Sequence, residues 1–224
     1  MAADSSSSAT DIQQDRFVAA RWQAYDAESR ANMLRIFAIG AFYLVHLWSY
    51  FSAQGRLPNM GFFQVADAGA ISKHFHIEIT MLAVAWAMLA LGVLLALQQR
   101  VFPTWMPYCT TASDIVLLTV LLCISSGARS PLVSGYFLIL VLATLRLSLP
   151  LVRFATIGAA LGYVVLLGCQ KWMPFAEELR GQQNVPRYHQ IIVLVAILLA
   201  GVMLGQIVRT AWRMRYCSQF YETH

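Results

Sequence analysis

Charge is what this chain has least of. Only 12% of its 224 residues are Asp, Glu, Lys or Arg, about half the roughly 25% of a soluble domain. That leaves too few polar side chains to cover a globule in water. The four cysteines, Cys109, Cys123, Cys169 and Cys217, form no CxxC or CxxCH pattern. This removes the basis for a disulfide framework or a covalently attached haem, and they read as small apolar packing residues. Long polar stretches are also missing. Outside the apolar runs there is an opening segment, a set of short loops and a short tail, none able to bury a core of its own. A separate soluble catalytic domain is therefore not expected, and neither is enzymatic activity. The net charge of +5 does not point to nucleic acid, because the basic residues flank apolar runs instead of clustering.

What is abundant is apolar: 58% of residues are hydrophobic and the mean hydropathy is +0.59. A membrane-spanning helix needs about 20 such residues to cross about 30 Å of hydrocarbon. Six runs qualify: Met33–Phe51, Phe75–Leu97, Pro107–Ile124, Pro131–Leu149, Leu151–Cys169 and His189–Val208. They predict an all-α, polytopic membrane protein built as a bundle of six transmembrane helices. The domains then read as an N-terminal segment (1–32), the membrane domain (33–212) and a short tail (213–224). Residues 1–10 are Ser-rich and expected to be disordered. Residues 11–31, with Phe17, Trp22 and Tyr25 among charges, suit an interfacial helix. The first run is too long and lies too deep in the chain for a secretory signal, so the faint cleavage pattern Phe51-Ser52-Ala53 is the weaker reading.

With both ends on one side, Arg16, Arg21, Arg30, Arg35, Arg100, Arg146, Arg153, Arg209, Arg213 and Arg215 share a face. Arg56, Lys73, Arg129, Lys171, Arg180 and Arg187 share the other. The positive-inside rule then puts both termini in the cytoplasm.

Ionisable groups inside a membrane are costly, and each asks for a partner. Asp114 lies about two turns into the third run and Arg146 near the end of the fourth. A short connection makes those helices antiparallel neighbours, so a structural ion pair between Asp114 and Arg146 is expected. Histidines gather toward the opposite face: His46 late in the first run, His74 and His76 opening the second, His189 opening the sixth, with Glu78 beside His76. Imidazoles from three helices at similar depth suit a metal or haem iron, but neutral histidine also sits in the interface as an amphipathic side chain. No dedicated metal site is assigned; haem or quinone stays an alternative cofactor reading.

Gly158–Gly162 and Gly201–Gly205 are Gly-xxx-Gly pairs, which let helix backbones approach closely. They fit contacts within one bundle or a dimer face on the sixth helix, where Gln206 would hydrogen-bond across the contact. Pro131 suits the first turn of a helix and Ser130 its N-cap. Trp172 and Tyr188 bracket the longest outer loop as aromatic anchors.

Residues 108–168 carry Asp114 and Thr119 at D-x-x-x-x-T spacing, then a turn with Gly127, Ser130 and Pro131. Tyr136, Arg146 and Tyr163 follow. In order and interval this stretch resembles the third to fifth spans of the six-helix membrane domain at the N-terminus of many bacterial sensor histidine kinases and some adenylate cyclases. The resemblance implies a sensory domain in a bacterial cytoplasmic membrane. In the redox-responding kinases a Gly-Gly-x-x-Asn-Pro-Phe turn is implicated in sensing quinone; here the turn is Ser126-Gly127-Ala128-Arg129-Ser130-Pro131-Leu132, matching in one Gly and the Pro. The chain shows no phospho-accepting His region and no ATP-binding motif.

The leading expectation is a non-catalytic membrane module that senses a ligand or membrane state, or anchors a partner. It would signal through its last helix, with Arg209, Arg213, Arg215 and Tyr216 as contact surface. Its partners are the lipid bilayer and a second copy or a membrane-complex protein. One alternative is a redox protein holding haem or quinone through His46, His76 and His189. Another is a small transporter using Asp114 and Arg146.

Overall fold

In lipid every backbone N–H and C=O must be satisfied within its own segment, so apolar runs of this length fold as helices. The computed structural model describes residues 4–56, 73–99, 103–125, 127–172 and 186–221, with side chains described between 21 and 214. All its regular elements are helical. They are α1 (Asp4–Ala53), α2 (Lys73–Gln98), α3 (Met106–Ile124), two 3₁₀ turns at Gly127–Arg129 and Pro131–Ser134, α4 (Gly135–Leu145), α5 (Leu149–Trp172) and α6 (Arg187–Tyr221).

Five of these helices are long and apolar enough to cross a membrane, as an integral membrane protein requires. They carry large apolar side chains outward: Phe37, Met81, Leu161 and Met203 are each at least 60% exposed. A surface of that kind is stable only against lipid.

Three boundaries differ from expectation. The helix expected over 11–31 begins earlier and joins the first span without a break: α1 is helical from Asp4 and runs for 50 residues. Likewise α6 runs for 35 residues, through most of the expected tail. The fourth apolar segment is shorter than its run, because Pro131–Ser134 is a 3₁₀ turn and α4 stops at Leu145. Together these cover roughly 24 Å, short of the hydrocarbon thickness.

The main core lies among α3, α4, α5 and α6, around Leu122, Leu140, Tyr136, Tyr163, Leu166 and Ile197, all nearly solvent-free. Thr119 in α3 bonds Tyr136 in α4 at 2.8 Å, and Tyr136 meets Tyr163 edge to face. Helix α1 stands against α2 and α4.

The glycines act inside this bundle. A Cβ on Gly162 would lie 2.8 Å from Thr119 Oγ1 and 3.2 Å from both Ile115 Cγ2 and the Tyr136 hydroxyl, so this point of the α3–α5 seam favours bare backbone, while one on Gly158 would meet only the flexible end of Ile115. On α6, Ile197, Gly201, Gly205 and Val208 are buried while Gln206 is exposed. A Cβ on Gly201 would run into Thr156 of α5, down to its Cβ, which no rotamer change can move; at Gly205 the nearest atom is 3.5 Å away. G201A is therefore expected to lower stability by about 1–3 kcal/mol through overpacking, while G205A stays within about 0.5 kcal/mol. Denaturation in mixed micelles reads the difference, and equal losses would contradict this packing.

Candidate functional site

On α1, Glu28, Asn32 and Arg35 repeat at i, i+4 and i+7. That is one face of a helix, and here it is the face turned into the bundle: their exposures are 0%, 1% and 2%. Buried groups of this kind need partners, and α1 finds them on α2, on α3 and on the residue that follows α4.

Arg35 grips Asp114 of α3 with its fork. Nε donates to Oδ1 at 2.9 Å and to Oδ2 at 3.0 Å, and Nη2 donates to Oδ2 at 2.8 Å. Nη1 donates to Asn32 Oδ1 at 2.8 Å, and Asn32 Nδ2 in turn donates to the Ala90 carbonyl of α2 at 3.0 Å. Trp86 of α2 donates Nε1–H to Asp114 Oδ1 at 2.8 Å. The network joins α1, α2 and α3.

Arg146, the residue after α4, makes a second network. Its Nη2 donates to Glu28 Oε1 at 2.6 Å, and Nε stands 2.6 Å from Glu28 Oε2 as an ion pair. Thr111 and Thr110 hydroxyls accept from Nη1 and Nη2 at 2.7 and 3.0 Å, and the Pro107 carbonyl accepts from Nη1 at 3.3 Å.

The expected Asp114–Arg146 pair is thus not formed. Arg146 reaches α3 at residues 107–111, a full turn nearer the end of the bundle than Asp114, and the deeper carboxylate is taken by Arg35. Because α4 ends early, its terminal guanidinium lies below the surface and is satisfied by α1 and α3.

The turn between α4 and α5 carries a further contact. Leu147 has φ 49°, unusual for a residue with a branched side chain, and its carbonyl accepts from Trp212 Nε1 of α6 at 2.9 Å. Glu28 and Trp212 therefore meet adjacent residues of this turn. The N-terminal part of α1 and the C-terminal part of α6 lie at the same end of the bundle.

At the other end His46 and His76 come together. His46 Nε2 lies 3.1 Å from His76 Nδ1, so the two rings share one proton. Tyr50 stacks on His76 with centroids 3.9 Å apart. These two nitrogens are spent on each other, so His46 and His76 would have to give up this bond to hold a metal or haem iron. Glu78 and His189 are exposed, and among the described residues no three His, Cys, Asp or Glu side chains converge as a metal site. Ser130 does cap Pro131–Ser134, its Oγ accepting from Leu132 N at 3.2 Å. Gly127 has φ +62°, and the end of the Gln170 side chain occupies the space a Cβ would take, so a side chain at this turn position would be strained. Residues 173–185 of the longest outer loop and the side chains of Arg215 and Tyr216 lie outside the described residues.

Between the two polar ends runs a cavity of about 360 Å³. Arg35, Phe42 and His46 of α1 line it, with Ile79 and Trp86 of α2, Asp114 and Leu118 of α3, and Leu138 and Leu142 of α4. Sequence reasoning missed Glu28, Arg35 and Trp86 as site residues. The i, i+4, i+7 spacing of Glu28, Asn32 and Arg35 was the signal available. No family model matches the chain, and comparison with curated proteins and with solved structures gives no match either.

Proposed function

We propose that this chain is a non-catalytic membrane module that responds to a molecule held among α1–α4 and relays its state through α6 to a separate protein. One observation carries the reading. Helix α4 forms a wall of the cavity, and the turn that ends it is bonded to both helices that run beyond the bundle, α1 through Glu28 and α6 through Trp212. A shift of α4 is thereby passed to both. In a two-state account the ligand must favour one setting of this joint over the other.

We take the module to cross the membrane six times, with the short Pro131–Leu145 segment as the fourth crossing, and to keep both termini in the cytoplasm, from its ten-to-six distribution of basic residues. A bacterial cytoplasmic membrane and kinship with the membrane domains of sensor kinases follow from the sequence resemblance. The haem reading has less support, since His46 and His76 bond each other and His189 is exposed. The transporter reading loses its motivating pair, because Asp114 is held by Arg35.

The relay is tested with spin labels at D26C and R213C, on exposed positions of α1 and α6, in a background free of the native cysteines. Filling the cavity with A38F is expected to shift the distance between them by about 1–2 Å, the scale of packed-helix shifts. Adding W212F should abolish the shift. A distance unchanged by A38F overturns the relay.

A further inference from the structure

We infer that the cavity holds an uncharged, single-chain amphiphile drawn from the lipid phase, with its tail along the helices and its hydrogen-bonding head at the His46 end. This rests on the reading above that the module responds to a bound molecule, and it names the chemistry of that molecule.

The volume of about 360 Å³ falls at the small end of ligand sites, which run from about 300 to 1,000 Å³. Its shape is elongated: Arg35 and His46 both line it and stand about 16 Å apart along α1 at 1.5 Å per residue. Between them the wall is apolar, with Phe42, Leu82 and Leu138 among its side chains. A chain fits that outline, and a bulky polar solute does not.

The Arg35 end offers nothing to a charged head. Both carboxylate oxygens of Asp114 are engaged, and each nitrogen of the Arg35 guanidinium donates to Asp114 or Asn32. The pair is internally neutral and presents no free charge to a guest. A carboxylate or ammonium head placed at this end would be buried without a counter-ion, at a cost the apolar wall cannot offset. At the other end His46 and the buried Ser49 offer groups that bond a hydroxyl or carbonyl without requiring charge.

Photolabelling in proteoliposomes tests this. The probes are a diazirine-bearing octanol and the matching diazirine octanoate. The alcohol is expected to label cavity-wall residues saturably, with unlabelled octanol competing, and the carboxylate about tenfold less. A38F and A83F, which put a ring into the cavity, should remove wall labelling while leaving lipid-facing labels on Phe37 and Met203 unchanged. Non-saturable labelling spread evenly over lipid-facing positions overturns the inference, as does equal labelling by the carboxylate. If the variants fail to fold, competition on the unmodified chain still separates saturable from non-saturable labelling. Labelling reads occupancy alone, so it can succeed while the spin-label shift fails, and the reverse.

Discussion

Replacing Arg35 by methionine is expected to destabilise the bundle by about 3–5 kcal/mol, the cost of leaving one member of a buried ion pair alone. Asp114 would keep only the Trp86 indole as a donor, in a site 3% exposed. The double variant R35M/D114L should recover most of the loss, since a buried pair replaced by apolar residues of similar size is often neutral or stabilising. Reversible unfolding in mixed micelles measures both. Wild-type stability in R35M would mean that the carboxylate is not held by this guanidinium. The recovery in the double variant matters as much as the loss. It distinguishes a pair that specifies how α1 docks from one that supplies net stability.

The second large effect belongs to Arg146. R146M removes the donors to Glu28, Thr110 and Thr111 together and strands a carboxylate of zero exposure, again for about 3–5 kcal/mol. E28Q keeps an acceptor without the charge and should cost less, about 1–3 kcal/mol. R146K should not rescue, because an ammonium cannot reproduce the fork that reaches α1 and α3 at once. The charges of the two networks act on each other, so R35M and R146M should be non-additive by about 0.5–3 kcal/mol. Thermal unfolding of the two single variants and the double variant decides this; strict additivity would mean two independent pairs.

Helix existence was legible in the sequence, since apolar runs long enough to cross lipid have little other choice, and the starts of α2, α3 and α5 fall within two residues of expectation. The glycine pairs read as close-contact positions, without showing which helices they meet; the Ser130 cap was legible because it depends on local geometry. Pairing was not. Arg35 reads as a charge flanking a span when the span is taken to begin at Met33. Only the continuity of α1 through Glu28, Asn32 and Arg35 reveals a polar stripe inside the bundle. Similarly, nothing in the fourth run announces that its helix stops at Leu145, and that early stop decides which turn of α3 Arg146 can reach.

The polar stripe of α1 has a consequence for how the protein is made. Arg35 and Glu28 enter the membrane with the first helix, yet their partners lie 79 and 118 residues later in the chain. A charge costs about 2.5–3.5 kcal/mol at the centre of a lone inserted helix, and less toward the end where Arg35 and Glu28 lie. Early in synthesis α1 therefore carries charges that nothing yet answers. Asp114 arrives with α3, but Glu28 waits until Arg146 has been made. A nascent chain stopped short of that residue would hold a first helix whose Glu28 is still unanswered, an interval in which a membrane quality-control protease or an insertion chaperone could act.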